Sequence, residues 1–118
     1  MKVLIVEPGK HPCEMEICNT LQDMQETVGG YIEAIYPFED MVALISDEEA
    51  KLKSDTQWNR ILGRDIIKGT FFLCGIEGEN FCDLPDDLME KYKKYFWEPQ
   101  FFIPTPNGLL PIILRDAP

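Results

Sequence analysis

The 118-residue chain reads as an α+β domain with a mostly antiparallel sheet, two helices and an extended C-terminal hairpin. Three observations predict that class. Short β-branched or alternating apolar runs recur as far as residue 74, and two stretches place apolar residues at helical spacing. Near the C-terminus a Pro-Asn-Gly turn separates two extended segments. One domain is expected at this length. Its body covers residues 1–96, and residues 97–118 form an extension that packs on it or makes an interface.

Lys2 to Val6 is a continuous apolar run and predicts a strand buried on both faces. Glu7-Pro8-Gly9-Lys10 turns the chain, and Glu14 to Ile17 can pair back. Asn19 has the form of a helix N-cap, with Gln22 completing a capping box. Leu21, Met24 and Val28 make one apolar stripe, which Gly29-Gly30 ends. Tyr31 to Tyr36 alternates as a strand closed by Pro37. Met41 to Ser46 is the next strand, and Lys51 to Lys53 returns from an Asp47-to-Ala50 turn as a hairpin. Ser54 to Arg64 is polar and predicts an ordered loop, followed by a strand over Ile66 to Cys74 interrupted at Gly69.

The second helix is marked by Pro85 in its first turn, Asp86 and Asp87 at its positive end, and Lys91, Lys93 and Lys94 toward its negative end. Leu88, Tyr92 and Tyr95 form its buried stripe, widened by Met89 and Phe96. Phe101 to Ile103 and Leu109 to Leu114 then flank the Pro106-Asn107-Gly108 turn. Pro104, Pro106 and Pro111 confine that hairpin to a sheet edge.

Charge is unevenly spread. From His11 to Ala50 there are ten Asp or Glu residues and no Lys or Arg. The first 50 residues carry eleven acids against two lysines, a balance of −9, and the other 68 carry only −1 of the total −10. Direct DNA or RNA binding leans on a basic footprint, so it is not expected here. The longest apolar runs are about five residues, far below the roughly 20 of a membrane span, and no membrane association is expected. The opening MKVLIVEPGK lacks the long apolar region of a signal peptide, so the expected location is cytoplasmic with the four cysteines reduced.

The run Leu21-Gln22-Asp23-Met24-Gln25-Glu26-Thr27-Val28-Gly29-Gly30-Tyr31-Ile32-Glu33 resembles the DUF3846 family of small uncharacterised bacterial and phage proteins. Asp47-Glu48-Glu49-Ala50-Lys51-Leu52 is similar to that family's acidic hairpin, Asn59-Arg60 to its Asn-Arg pair, and Asp65 to Cys74 to the strand that follows. Two departures stand out: Ala50 replaces the hairpin glycine, and Ser54-Asp55-Thr56-Gln57 lacks the usual glycine and prolines. The resemblance implies no activity. It implies an accessory protein of a phage or other mobile element, acting on a host.

No catalytic set emerges. His11, Cys13, Cys18, Cys74 and Cys82 have no CxxC spacing, so neither a metal site nor a cofactor is expected. His11 and Cys13 are neighbours on a turn without a nucleophile signature. Gly29-Gly30-Tyr31 offers clustered backbone amides, yet no GxGxxG or Walker pattern accompanies it, and a helix cap explains it. Glu33 lies mid-strand with Tyr31 and Ile35. On a buried face it needs Arg60 or Arg64 as partner; on an edge it is solvated.

Three functional readings follow. In the first, a non-enzymatic binding protein presents Asp23, Glu26, Glu39, Asp40, Asp47, Glu48 and Glu49 as one acidic face to a basic surface on a host protein. An anti-defence inhibitor that imitates nucleic-acid charge is its concrete form. The bland counterpart is a set of solvated carboxylates that aid solubility. In the second, a small-ligand pocket forms from Gly29, Gly30, Tyr31, Glu33, Asn59 and Arg60, with Arg60 as bidentate donor. In the third, Trp97, Phe101 and Phe102 either form an exposed interface or close the core, making the chain a homodimer through its tail or a monomer.

Overall fold

Val3 to Val6 are shielded from solvent because their strand, β1 (Lys2–Val6), has a neighbour along each edge and a packed layer on each face. The computed structural model describes residues 1–113. After β1 come β2 (Cys13–Glu16), α1 (Leu21–Val28), β3 (Ile32–Ile35), β4 (Val42–Asp47), β5 (Trp58–Leu62), β6 (Asp65–Lys68) and β7 (Phe71–Glu77). Then follow β8 (Asn80–Cys82), α2 (Asp86–Tyr95), β9 (Gln100–Thr105) and β10 (Gly108–Ile113). The α+β class is as the sequence predicts.

The main sheet runs β2-β1-β7-β4-β3, with β8 also beside β7, and every pairing in it is antiparallel. The period-two pleat divides its apolar residues between two faces. Leu4, Val6, Val42, Leu44, Phe71 and Leu73 meet α2 and the β5–β6 hairpin through Met89, Tyr92, Phe96 and Ile67. Val3, Ile5, Ala43, Ile45, Phe72 and Cys74 meet α1 through Met24 and Val28. The two helices therefore cover opposite faces of one sheet.

Several expectations need correction. The N-cap of α1 is Thr20, whose hydroxyl accepts from the Asp23 N–H at 3.2 Å. The Asp23 carboxylate accepts from Cys18 N–H at 2.6 Å, a near-reciprocal capping arrangement. Asn19 instead donates its side-chain amide to the Phe81 carbonyl. Leu21, expected in the buried stripe, is exposed, since it begins the helix beyond the edge of the core; Met24 and Val28 are buried. Tyr95 likewise points to solvent, while Phe96 takes its place.

Lys51 to Lys53 does not return as a strand. A short 3-10 turn over Ala50–Leu52 forms there, because the Asp47 carboxylate gathers the Glu49 N–H (3.0 Å) and the Lys53 ammonium (2.5 Å) and folds the chain back. That turn contains no positive φ, which is why alanine serves at position 50. The expected loop at residues 54–64 contains β5, paired antiparallel with β6. Gly69, at φ +83°, splits the expected strand over Ile66 to Cys74 into β6 and β7, which belong to different sheets. The terminal hairpin forms as β9–β10, a separate two-stranded sheet. Leu114, expected to end it, lies outside the described residues.

Candidate functional site

Asn59 sits at a register shift in β5, between the paired positions Trp58 and Arg60. That irregularity frees it from the ladder and turns it inward. Its amide nitrogen donates to the carbonyls of Val6 and Gly69, both at 2.8 Å, and its side-chain oxygen accepts from Arg60 Nη1 at 2.8 Å. Arg60 is fully buried. Its Nε donates to the Phe96 carbonyl at 3.0 Å and Nη2 to the Lys10 carbonyl at 2.6 Å. No carboxylate within the described residues forms an ion pair with it. Burial lowers its guanidinium to about 10, so it stays charged at neutral pH. The Phe96 carbonyl follows the last turn of α2, the negative end of that helix, which favours a cation there.

This geometry corrects the ligand-pocket expectation. Asn59 and Arg60 are fully buried and spend these donors on the protein's own carbonyls; a buried guanidinium is stable here only because those acceptors surround it. Arg60 is not the partner of Glu33, which lies exposed on β3. The Gly-Gly turn is a second piece of construction. Gly29 is the left-handed cap of α1 at φ +84°. A Cβ on Gly30 would come within 2.5 Å of the Asp47 carboxylate. Lys53 completes the knot, its ammonium donating to Asp47 and, at 3.0 Å, to the Gly29 carbonyl at the helix's negative end. The bond to Asp47 raises the Lys53 ammonium above the ordinary lysine value.

The seven carboxylates expected on one face divide. Asp40 belongs with α2, where its carboxylate accepts from Lys91 Nζ at 2.6 Å and the Tyr92 hydroxyl at 2.7 Å. Those bonds hold Asp40 below the ordinary aspartate value, and burial with its hydrogen bond to Asp40 raises the Tyr92 phenol. Asp47 is only 8% exposed and paired with Lys53. Asp23, in the first turn of α1 on the opposite face of the sheet, holds the Cys18 N–H that leads into the helix. One contiguous seven-residue face does not form, because these three acids each have structural partners.

The remaining acids fall into two pairs near β3, with Glu39 apart from both. Glu26 and Glu49 line one groove of about 490 Å³ with Gly29, Gly30, Tyr31 and Lys53, whose ammonium is bonded to Asp47 and also feels the Glu49 charge. Glu33 and Glu48 line an adjoining cleft of about 200 Å³ with Lys51 and Lys68. Glu39 lies past the C-terminal end of β3. None of these five forms an ion pair with another described residue. Lys51 is taken by Asp65 at 2.6 Å, and Lys68 donates to the Lys53 carbonyl. A further cleft of about 590 Å³ lies beside Gly29, lined by Lys10, Lys53, Thr56 and Gln57 among others.

All four cysteines are free, Cys13 and Cys18 exposed and Cys74 buried. Burial pushes the Cys74 thiol up to about 12. Among the described residues no group of three His, Cys, Asp or Glu side chains is placed to hold a metal, and no helix is long and apolar enough to cross a membrane. Trp97 is stacked on His11, ring centroids 4.1 Å apart, and its carbonyl lies 2.7 Å from His11 Nδ1. Phe101 faces the Gly9 turn, where an added Cβ would meet its ring at 3.7 Å, and remains exposed, while Phe102 is half-buried and lines a cleft with Trp58.

Local pattern put Asn59 and Arg60 in a polar loop beside a ligand pocket and Asp47 in an acidic turn, whereas all three are buried on the protein's own partners. The signal that could have marked Arg60 was its place in a five-residue stretch that also holds Trp58, Ile61 and Leu62. No curated protein and no solved structure matches the chain. The domain of unknown function DUF3846 matches residues 1–97 and leaves the β9–β10 hairpin outside the match. Over those residues, the chain belongs to the DUF3846 family.

Proposed function

We propose that this protein is a non-enzymatic binding protein that recognises a basic surface on a protein partner through the rim formed by Glu26, Glu33, Glu39, Glu48 and Glu49. The observation that carries this reading is the contrast in pairing. Asp40, Asp47 and Asp65 are each held by a lysine, whereas the five rim glutamates have no ion-pair partner among the described residues. Unpaired like charges on one rim repel one another and favour a cationic partner, which also gains in association rate. A host protein that binds nucleic acid, inhibited through its basic groove, is the specific form of this reading.

The test is affinity capture from nuclease-treated host lysate at low salt and at about 0.5 M salt, where surface charge is strongly screened. One basic protein should be retained at low salt, released at high salt, and lost with the E26K/E48K/E49K variant. Retention unaffected by that variant would refute the rim as the contact. A second reading, a small-ligand module, is favoured by the cleft of about 590 Å³ beside Gly29, without Asn59 or Arg60 as ligands.

A further inference from the structure

We infer that the outer edge of β3 receives an extended, lysine- or arginine-bearing segment of the partner, which adds to the sheet as a further strand. This rests on the acidic-rim reading above and specifies its mode of contact. The Glu48 N–H donates to the Tyr31 carbonyl at 2.9 Å, so Tyr31 and Glu48 form a hydrogen-bonded pair. Alternation then makes Glu33–Ser46 and Ile35–Leu44 the bonded pairs of the β3–β4 ladder. Ile32, Ala34 and, beyond them, Tyr36 therefore turn their backbone N–H and C=O groups away from β4. Among the described residues no hydrogen bond reaches those groups.

Exposed edges are ordinarily blunted by proline, lysine, bulges or short length. The opposite rim of the sheet is. Met1 and Ile17 exchange hydrogen bonds, which leaves only Glu14 and Glu16 facing outward on β2. Pro12 precedes them without an N–H, the Cys18 N–H is held by Asp23, and both glutamates are paired, Glu14 with Lys2 and Glu16 with the N-terminal ammonium. In the terminal hairpin Pro111 lies three pairs from the closing pair Thr105–Gly108, so its missing N–H falls on the outer edge. β3 is as short as β2, four residues each, and Pro37 follows it, but residues 31–36 themselves contain no proline, lysine or arginine, so the N–H groups of Ile32, Ala34 and Tyr36 stay available.

Charge selects the occupant. Glu33 lies on the strand and Glu48 and Glu39 near its two ends, with Tyr31 and Tyr36 flanking it at 65% and 60% exposure, a residue type that anchors interfaces. A second copy would bring another −10 against this rim, whereas a basic strand joins backbone pairing to charge complementarity.

The experiment uses the ¹⁵N-labelled full chain, a synthetic peptide of alternating Lys and Val, and its Glu-for-Lys counterpart. The lysine peptide should slow amide exchange at Ile32, Ala34 and Tyr36 about tenfold or more, and the glutamate peptide should not. Ala34→Pro should abolish the effect by removing one outward N–H. Tyr36→Pro, outside the β3–β4 ladder, serves if the first variant does not fold, and exchange in the unmodified chain needs neither. Equal protection by both peptides would overturn the inference, as would protection that rises with the chain's own concentration. Binding of the lysine peptide that leaves the three amides unprotected would overturn edge docking and leave the acidic-rim reading intact. Loss of both peptide binding and lysate capture would bring down both.

Discussion

Arg60 Nη1 donates to Asn59 Oδ1 at 2.8 Å, and through that bond two adjacent residues fasten four separate segments: the end of β1, the Lys10 turn, the β6–β7 junction and the end of α2. The pair is an internal clamp whose acceptors are all the protein's own.

Arg60→Ala should therefore destabilise the fold by about 3 kcal/mol or more, since it leaves several buried carbonyls without donors and opens a cavity. Arg60→Lys should fall between, its ammonium reaching fewer of those carbonyls. Asn59→Ala should cost about 2 kcal/mol, and the double variant less than the sum of the singles, because one bond is shared. Urea denaturation measures all four, and a loss under about 1 kcal/mol for Arg60→Ala would contradict the clamp.

Gly30→Ala should be more damaging than Gly29→Ala. At Gly29 the cost is that of the left-handed conformation, about 1 kcal/mol, with open space where a Cβ would sit. At Gly30 the new Cβ meets the Asp47 carboxylate. In an Asp47→Ala background the Gly30→Ala penalty should shrink. An unchanged penalty in that double-mutant cycle would dissociate the glycine from the carboxylate.

Asp40 gives a pH signature. Its folded-state value is lowered by the hydrogen bonds from Lys91 and Tyr92, so its contribution to stability is present above the ordinary value of 3.8 and fades as pH falls below it. The Tm difference between the wild type and Asp40→Ala should be constant from pH 7 to pH 5 and narrow toward pH 3. A difference that widens on acidification would have the wrong sign for this linkage.

Truncation after Trp97 should leave a cooperatively unfolding domain. The β9–β10 sheet shares no ladder with the main sheet, and it is attached through β9 lying against β5, with the Ile61 N–H donating to the Gln100 side chain at 2.9 Å. Circular dichroism and thermal melts of residues 1–97 should retain the transition at a modestly lower Tm. Loss of the transition would make the hairpin part of the core.

Most of the fold was legible in local patterns. Val3 to Val6 and Phe71 to Cys74 are uniformly apolar because they lie in the middle of a sheet covered on both faces, and Met24 and Val28 keep helical spacing because only one side of α1 meets the core. The hairpin at residues 58–68 was obscured because two residues of its first strand, Asn59 and Arg60, are polar and yet buried. The acidic span was legible as composition but not as surface, since three of its seven carboxylates are spent on the Cys18 N–H, a buried lysine pair and a clamp on α2.

The sequence by itself determined the α+β class, the left-handed cap at Gly29, the orientation of α2 against its own charges, and the excess of acid in the first 50 residues. Periodicity, turn chemistry and helix-end charge act between residues a few positions apart. Tertiary structure alone decided that Arg60 is an internal clamp, that Asp47 is a buried partner of Lys53, and that Glu26 shares a groove with Glu49 and Glu33 a cleft with Glu48. The carbonyls that make burial of Asn59 and Arg60 possible belong to residues 53 and 36 positions away. Whether a polar group is satisfied inside or solvated outside depends on such distant acceptors, which no local pattern encodes.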